Sequence, residues 1–319
     1  MVHRKTRQRT PITPLELFLA FLSLTVIAMI VILGIVLHSV ALKNNEQNSE
    51  EVVSANQESA SENSEITEEK VPEYVKIDFQ SIVDQWASQT GGNKSVLIYD
   101  LERDETVGAF NEEENYSTAS LYKLFVVYAG YLKINSGGWT GDTIAGRTGR
   151  TVLQCLDLAI RESNSECAET LWSMIGRDNL AEMIENDFKI NDSNINSLIS
   201  NPKDIMKIMK IFYEHKEIND EKLISQIKDS FLNQPVTEYN WRQGLPSGFT
   251  KANVYNKVGW DYNPNGRYWN IYHDAAIVEF PEEGRHFIVV VMTNRVPFQQ
   301  ITKLGAMIEA EYLVRTEEL

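Results

Sequence analysis

Between Leu17 and Leu37 the chain runs for 21 residues without a charged side chain, interrupted only by Ser23, Thr25 and Gly34. At about 1.5 Å per residue a helix of that length spans a hydrocarbon core roughly 30 Å thick. The run therefore sets the architecture: whatever else folds must fold on one side of it. Arg4, Lys5, Arg7 and Arg9 precede the run, whereas its other flank soon turns acidic. The positive-inside rule then predicts residues 1–14 as a cytoplasmic tail, 15–42 as one transmembrane helix, and the remainder outside the cell membrane. The competing reading is a cleaved signal peptide with Ser39-Val40-Ala41 as its small-x-small site. Against it, the run exceeds the roughly 7 to 15 residues of a signal h-region.

Residues 43–72 read as a disordered acidic linker. Positions 44–69 hold eight glutamates, five serines and no basic residue, a composition that buries too little apolar surface to offset chain entropy. Those eight charges are more than half of the formal −15, so the acidity belongs to the tether more than to the domain behind it. No basic cluster appears outside the first residues, which argues against nucleic acid as a partner. Residues 73–319 have ordinary globular composition and are long enough for one sizeable domain.

Within that domain the apolar pattern changes period twice. Ser95–Asp100 and Thr106–Phe110 read as two short strands around a charged turn, and a block of helical patterns follows, starting near Ser120, Thr151, Cys167, Pro202 and Glu221. The segments ANVYNKVG, NIYHDAAIVEF and HFIVVVMTN then read as three strands parted by Gly, Pro and Asn, with a closing helix over about 297–313. Strands joined by short turns pair antiparallel. The expected fold is α/β in the α+β sense: a five-stranded antiparallel sheet flanked by terminal helices, an all-helical lobe, and a preceding transmembrane helix.

The chemistry centres on YSTASLYKLFVVYAGYL, Tyr116 to Leu132. Ser-x-x-Lys occurs three times, at Ser120/Lys123, Ser200/Lys203 and Ser225/Lys228, so spacing alone singles out none of them. Burial does. The helix after Ser120 is apolar nearly all round, which predicts a central helix with Lys123 inside it, one turn from Ser120 on the same face. A buried lysine loses charge and can take a proton from a hydroxyl. Ser120 at a helix start also sits where free N–H groups favour a developing oxyanion. The plain alternative is a serine cap with a snorkelling lysine.

Two downstream segments extend the pattern: Ser163-Asn164-Ser165 interrupts the helical block, and Lys257-Val258-Gly259-Trp260 closes a strand. In this order, with ASLYKLFV and FIVVVMTN around them, the three segments resemble the penicillin-recognising serine hydrolases, specifically the class A beta-lactamase-like group. The resemblance implies Ser120 as the acylated nucleophile, Lys123 as its base and Ser163 as the proton relay to the leaving nitrogen. It further implies that Lys257 binds the substrate carboxylate and repels the charge on Lys123, and that the N–H groups of Ser120 and Trp260 form the oxyanion hole. Gly259 would let substrate approach the strand. Ser165 and Val258 stand where the family has Asn and Thr or Ser, which removes an amide and a hydroxyl from substrate contact. No Glu-x-x-Leu-Asn lies between Ser163 and Pro202; Glu185, Asp187 and Asp192 are there without that context.

The implied function is a membrane-anchored extracytoplasmic serine hydrolase, acting through a Ser120 acyl-enzyme on beta-lactams or D-Ala-D-Ala-type cell-wall peptides, with slow beta-lactam turnover. The alternative is a non-catalytic peptidoglycan-binding or beta-lactam-sensing module of the same fold. No spacing calls for a metal or cofactor. His273-Asp274 could complete a Ser/His/Asp set, but no Gly-x-Ser-x-Gly elbow accompanies it. Cys155 and Cys167, 12 residues apart on the exported side, are either a disulfide or two buried thiols. The aromatics of YNWRQGLPSG and WDYNPNGRYWNIY either line a groove near Lys257 or pack the sheet edge.

Overall fold

The computed structural model describes residues 76–235, 240–262 and 270–317, all within the compact unit Glu73–Leu319. The apolar run, the acidic tether and part of the second aromatic segment lie outside the described residues. Among the described residues no helix is long and apolar enough to cross a membrane.

Two strands, β1 (Asn93–Asp100) and β2 (Glu105–Phe110), precede the helices, and three, β5 (Asn253–Tyr262), β6 (Asn270–Phe280) and β7 (Arg285–Asn294), follow them. They form one sheet in the order β2-β1-β7-β6-β5, antiparallel throughout, with Val96 opposite Val291 and Lys257 opposite Ala275. The pleat divides β1 between two cores. Val96 and Ile98 face the terminal helices α1 (Gln80–Gln89) and α8 (Phe298–Glu317), whereas Leu97 and Tyr99 face the helical lobe. Helix α1 escaped the sequence reading because its polar letters outnumber its anchors. Val83, Trp86 and Ala87 are enough to seat it, and the Trp86 indole donates to the Gln300 carbonyl at 2.7 Å.

The helical lobe contains α2 (Tyr122–Asn135), α3 (Val152–Arg161), α4 (Ser165–Ile175), α5 (Arg177–Asn186), α6 (Pro202–Glu214) and α7 (Glu221–Leu232). Helix α2 is its axis, buried continuously from Tyr122 to Tyr131, as an all-round apolar helix must be. Thr151 caps α3 through a capping box with Gln154, and Asn201 caps α6 ahead of Pro202. A two-stranded ladder of β3 (Tyr116–Ser117) and β4 (Ile199–Ser200) ties the approach to α2 to the approach to α6.

One expectation is corrected at the point that matters most. Ser120 does not open an α-helix: it lies in a 3₁₀ turn, Ala119–Leu121, that leads into α2, and no side chain caps either element. The serine-cap alternative therefore fails. Ala119, just before Ser120, holds φ of 42°, a left-handed conformation that costs an L-residue energy and is characteristic of functional turns.

Candidate active site

Four separate elements deliver one polar side chain each to one point. The 3₁₀ turn brings Ser120, α2 brings Lys123, the α3–α4 connection brings Ser163, and the edge strand β5 brings Lys257. The Lys123 Nζ lies 3.1 Å from Ser120 Oγ, 3.2 Å from Ser163 Oγ and 3.0 Å from Ser165 Oγ, and also donates to the Ser163 carbonyl. The Lys257 Nζ reaches Ser163 Oγ at 2.9 Å from the other side. Lys123 and Lys257 are 0 % and 1 % exposed, whereas Ser120 and Ser163 are half-buried and Ser165 is exposed. The amines lie beneath and the hydroxyls face outward.

Electrostatics follow from that placement. Burial pushes the Lys123 ammonium down to about 8, and the Glu169 carboxylate partly opposes the shift. Among the described residues every hydrogen-bond partner of Lys123 is a neutral oxygen, so none of them offsets the full cost of the charge. Lys257 falls well below the ordinary lysine range, by burial first and by repulsion from Lys123 second. The repulsion bears on Lys257 and not, as expected, on Lys123, whose shift comes from desolvation.

The Ser163 carbonyl fixes Lys123 in both protonation states. A carbonyl can only accept, so one N–H always points to it, and a neutral amine keeps a lone pair for the hydroxyls of Ser120 or Ser163. Presenting that carbonyl requires an unusual backbone: Ser163 has φ of 55°. Asn164, the middle residue of the segment, is spent on capping α4, accepting from the Cys167 N–H at 2.9 Å. Cys155 and Cys167 are joined as a disulfide with Cα atoms 4.8 Å apart, stapling α3 to α4 across the connection that carries Ser163.

The Lys257 segment departs from expectation at Val258 and Gly259. Strand alternation sends Val258 to the opposite face, where it is 1 % exposed in the core beneath the terminal helices, so its side chain has no place in substrate contact and a hydroxyl there would lie in the core. Lys257 gives two of its three donors to Ser163 Oγ and the Val258 carbonyl, which makes it a holder of Ser163 before anything else. Gly259 is needed for a protein contact: a Cβ there would lie 2.8 Å from the Thr118 carbonyl and 3.0 Å from Leu121 Cγ. Its bare backbone is what lets β5 pack against the turn carrying Ser120. Trp260 projects with Val258, and its ring packs edge-on against Trp241 at 5.8 Å, so these aromatics pack the sheet edge.

His273 and Asp274 do not join the site. The His273 Nδ1 accepts from the Thr293 N–H and its Nε2 donates to the Ser117 carbonyl, 2.8 Å away, so both ring nitrogens are engaged in backbone contacts. Burial lowers its pKa to about 4. Asp274 accepts from the Leu245 N–H at 2.7 Å and Asn256 at 2.9 Å. Glu185, Asp187 and Asp192 are all exposed.

Sequence reading missed Glu169. It accepts from the Tyr122 hydroxyl at 2.8 Å and pairs with Arg177 at 3.3 Å, and it is the carboxylate whose field reaches Lys123. Its position four residues after Ser165, on the helix facing α2, was the available signal.

A sequence profile of the Beta-lactamase enzyme family matches residues 78–311. No curated protein sequence matches. Among solved structures, a beta-lactamase from Chitinophaga pinensis DSM 2588 superposes with a TM-score of 0.62 at 15% identity, covering 73% of this chain and 98% of that one. A class A beta-lactamase described as the last common ancestor of Gram-negative bacteria gives 0.63 at 14% identity, covering 73% and 99%. The structure of PBP-A gives 0.61 at 14% identity, covering 76% and 100%. At these identities the structural likeness speaks for the fold.

Proposed function

Because the chain belongs to the Beta-lactamase enzyme family, we propose that it is a membrane-anchored extracytoplasmic serine hydrolase that forms a Ser120 acyl-enzyme with beta-lactams or D-Ala-D-Ala-type peptides. The observation that carries this reading is the shared environment of Lys123: one buried amine within 3.2 Å of the hydroxyls of both Ser120 and Ser163. Neutral Lys123 takes the Ser120 proton as Oγ adds to the amide carbonyl. Ser163, held by Lys257, passes a proton to the leaving nitrogen as the C–N bond breaks, and the proton on Lys123 replaces it. The product is an ester on Ser120 and a free amine.

Release of that ester requires a water and a base. Among the described residues no carboxylate is hydrogen-bonded to Ser120, Lys123 or Ser163, which favours slow turnover of beta-lactams and a peptide substrate at the cell wall. The uncharged run Leu17–Leu37 and the acidic tether behind it support placement at the membrane, with the domain on a leash outside it.

Labelling the full chain with a fluorescent penicillin tests the proposal. Wild type acquires a covalent label that persists on denaturing gels and maps to Ser120, and Ser120→Ala acquires none. Equal labelling of the two, or none of either, would leave the non-catalytic binding module as the better reading. The rate of label loss then separates rapid turnover from trapping.

A further inference from the structure

The turn that presents Ser120 is strained, and the groups that hold it come from elements far apart in sequence. Ala119 keeps its left-handed φ of 42°, a conformation that persists only where the surroundings over-determine it. The Thr118 N–H donates to the Leu198 carbonyl at 2.7 Å, and the Leu121 N–H closes the turn on the Thr118 carbonyl at 2.9 Å. Gly259 lets β5 press against that same carbonyl. A further tie is made one residue earlier: the Ser117 carbonyl accepts from His273 Nε2 at 2.8 Å.

The sheet is locally remodelled to aim that imidazole. His273 lies on β6 opposite Gly259, wholly buried, with the Tyr116 ring edge-on at 5.9 Å and the Tyr116 hydroxyl bonded in turn to Ser95 of β1 at 3.0 Å. The β6–β7 register passes from Ile271 opposite Asn294 to Asp274 opposite Val291, and the ladder is interrupted between them. In that gap the Thr293 N–H donates to His273 Nδ1 at 2.9 Å, and the Thr293 hydroxyl donates to the Tyr272 carbonyl. A buried N–H needs a partner, and here a side chain stands in for the neighbouring strand. Interruptions of this kind re-aim side chains beside active sites. They also fix the tautomer: an Nδ1 that accepts from an amide carries no proton, so Nε2 carries it and donates to Ser117.

We infer that His273 is a positioning residue for acylation: as the neutral Nε2–H tautomer it holds the Ser117 carbonyl, and through it the turn that sets Ser120 against Lys123. The inference rests on the reading of Ser120 as the nucleophile. Both ring nitrogens are bound to backbone groups, so His273 exchanges no proton with the substrate and acts through distance alone. The distance it guards is the 3.1 Å between Ser120 Oγ and Lys123 Nζ, and a displacement of about 1 Å takes that pair out of hydrogen-bond reach. Lys123 is held separately by the Ser163 carbonyl. Slack at Ser117 therefore moves the nucleophile away from its base instead of moving both together.

Stopped-flow labelling of the full chain with the fluorescent penicillin, over a range of concentrations, separates the encounter affinity from the acylation rate constant at saturation. Three substitutions divide the two ring contacts. In His273→Gln the amide nitrogen takes the place of Nε2 and still donates to Ser117. In His273→Asn the amide oxygen takes the place of Nδ1 and still accepts from Thr293, but nothing reaches Ser117; His273→Phe keeps a ring and loses both bonds. His273→Asn and His273→Phe should lower the acylation rate constant by about 10- to 100-fold with encounter affinity changed less than about threefold, and His273→Gln should recover most of the loss. His273→Asn, which leaves the Thr293 N–H satisfied, should melt no lower than His273→Gln, so activity and stability rank the two in opposite order. His273→Asn acylating as fast as His273→Gln, a loss that falls on encounter affinity, or rates that simply follow melting temperature would each overturn the inference. The nitrogen NMR spectrum of wild type adds a check that needs no variant to fold: a proton on Nε2 and none on Nδ1 is expected, and the reverse tautomer would overturn it. A wild type that takes no label removes the proposed nucleophile and this inference with it, whereas a labelled wild type matched by His273→Asn removes the inference alone.

Discussion

Lys123 and Lys203 each follow a serine by three residues, and the fold gives them opposite chemistry. Lys123 is wholly buried among neutral oxygens and is pushed down to about 8. Lys203, on the first turn of α6, is 43% exposed and bonds the Glu113 carboxylate at 2.6 Å, which raises it instead. The serines differ in the same sense: Ser120 Oγ faces its lysine, while Ser200 Oγ turns to Ser193 Oγ at 2.7 Å. Spacing supplies proximity in both places. Only the central helix α2 takes the charge out of water, and that desolvation makes an amine a base.

The largest effect that could break this contrast is on acylation. Lys123→Met should slow covalent labelling of Ser120 by about 10²- to 10⁴-fold, the usual contribution of a general base, while Lys203→Met changes it less than about twofold. Stopped-flow labelling reads both, and comparable losses in the two variants would remove any distinction between the sites.

Next in size is the staple behind Ser163. Cys155 and Cys167 are 12 residues apart, and closing a loop of that length stabilises a fold by about 3 kcal/mol. Cys155→Ala/Cys167→Ala should lower denaturant stability by that amount and also slow acylation, because the Ser163 carbonyl that orients Lys123 loses its anchor. The Lys203 region, outside the staple, should keep its ion pair to Glu113. Unchanged acylation with reduced stability would make the disulfide purely structural.

A third test reverses direction. In the folded chain Lys123 titrates near 8 against 10.5 for an ordinary lysine, so at pH 7 both folded and unfolded chains are protonated there and the burial cost is fully present. Between pH 8 and 10.5 the unfolded chain holds more protons, and stability rises with pH as the cost is relieved. Lys123→Met should therefore stabilise the protein at pH 7, by at most about 3 kcal/mol, with an advantage that shrinks above pH 8. Lys203→Met should leave stability nearly unchanged at every pH, as the loss of an exposed pair does. A destabilised Lys123→Met would show that its four hydrogen bonds outweigh desolvation.

The legibility of the molecule divides along the same line. Element order and the antiparallel sheet were readable because the periods of 2 and 3.6 are local properties, and the burial of Lys123 was readable because α2 is apolar on every side. What escaped depends on contacts distant in sequence. Gly259 is fixed by the Thr118 carbonyl, more than a hundred residues earlier, and Val258 by which face of an edge strand meets α8. The 3₁₀ turn at Ser120 could not be told from a helix start by composition, since its distinguishing feature is one backbone angle at Ala119.

The smallest predicted effect concerns Glu169, the carboxylate that sequence spacing did not flag. It stands to Lys123 as Glu113 stands to Lys203, except that a tyrosine lies between them: Glu169 binds the Tyr122 hydroxyl, and the Lys123 Nζ lies 5.7 Å from the Tyr122 ring centre. Its charge favours the Lys123 ammonium from a distance, so removing it should let burial lower Lys123 further below 8. In Glu169→Gln the pH midpoint of acylation should move down, by about a few tenths of a pH unit, because Glu169 is 47% exposed and water screens it. The difference should shrink further in high salt. Glu113→Gln should leave the midpoint where it is, since Lys203 bears on no hydroxyl that reacts. A midpoint that rises in Glu169→Gln, or that moves equally in Glu113→Gln, would mean that the base titrating in acylation is not Lys123.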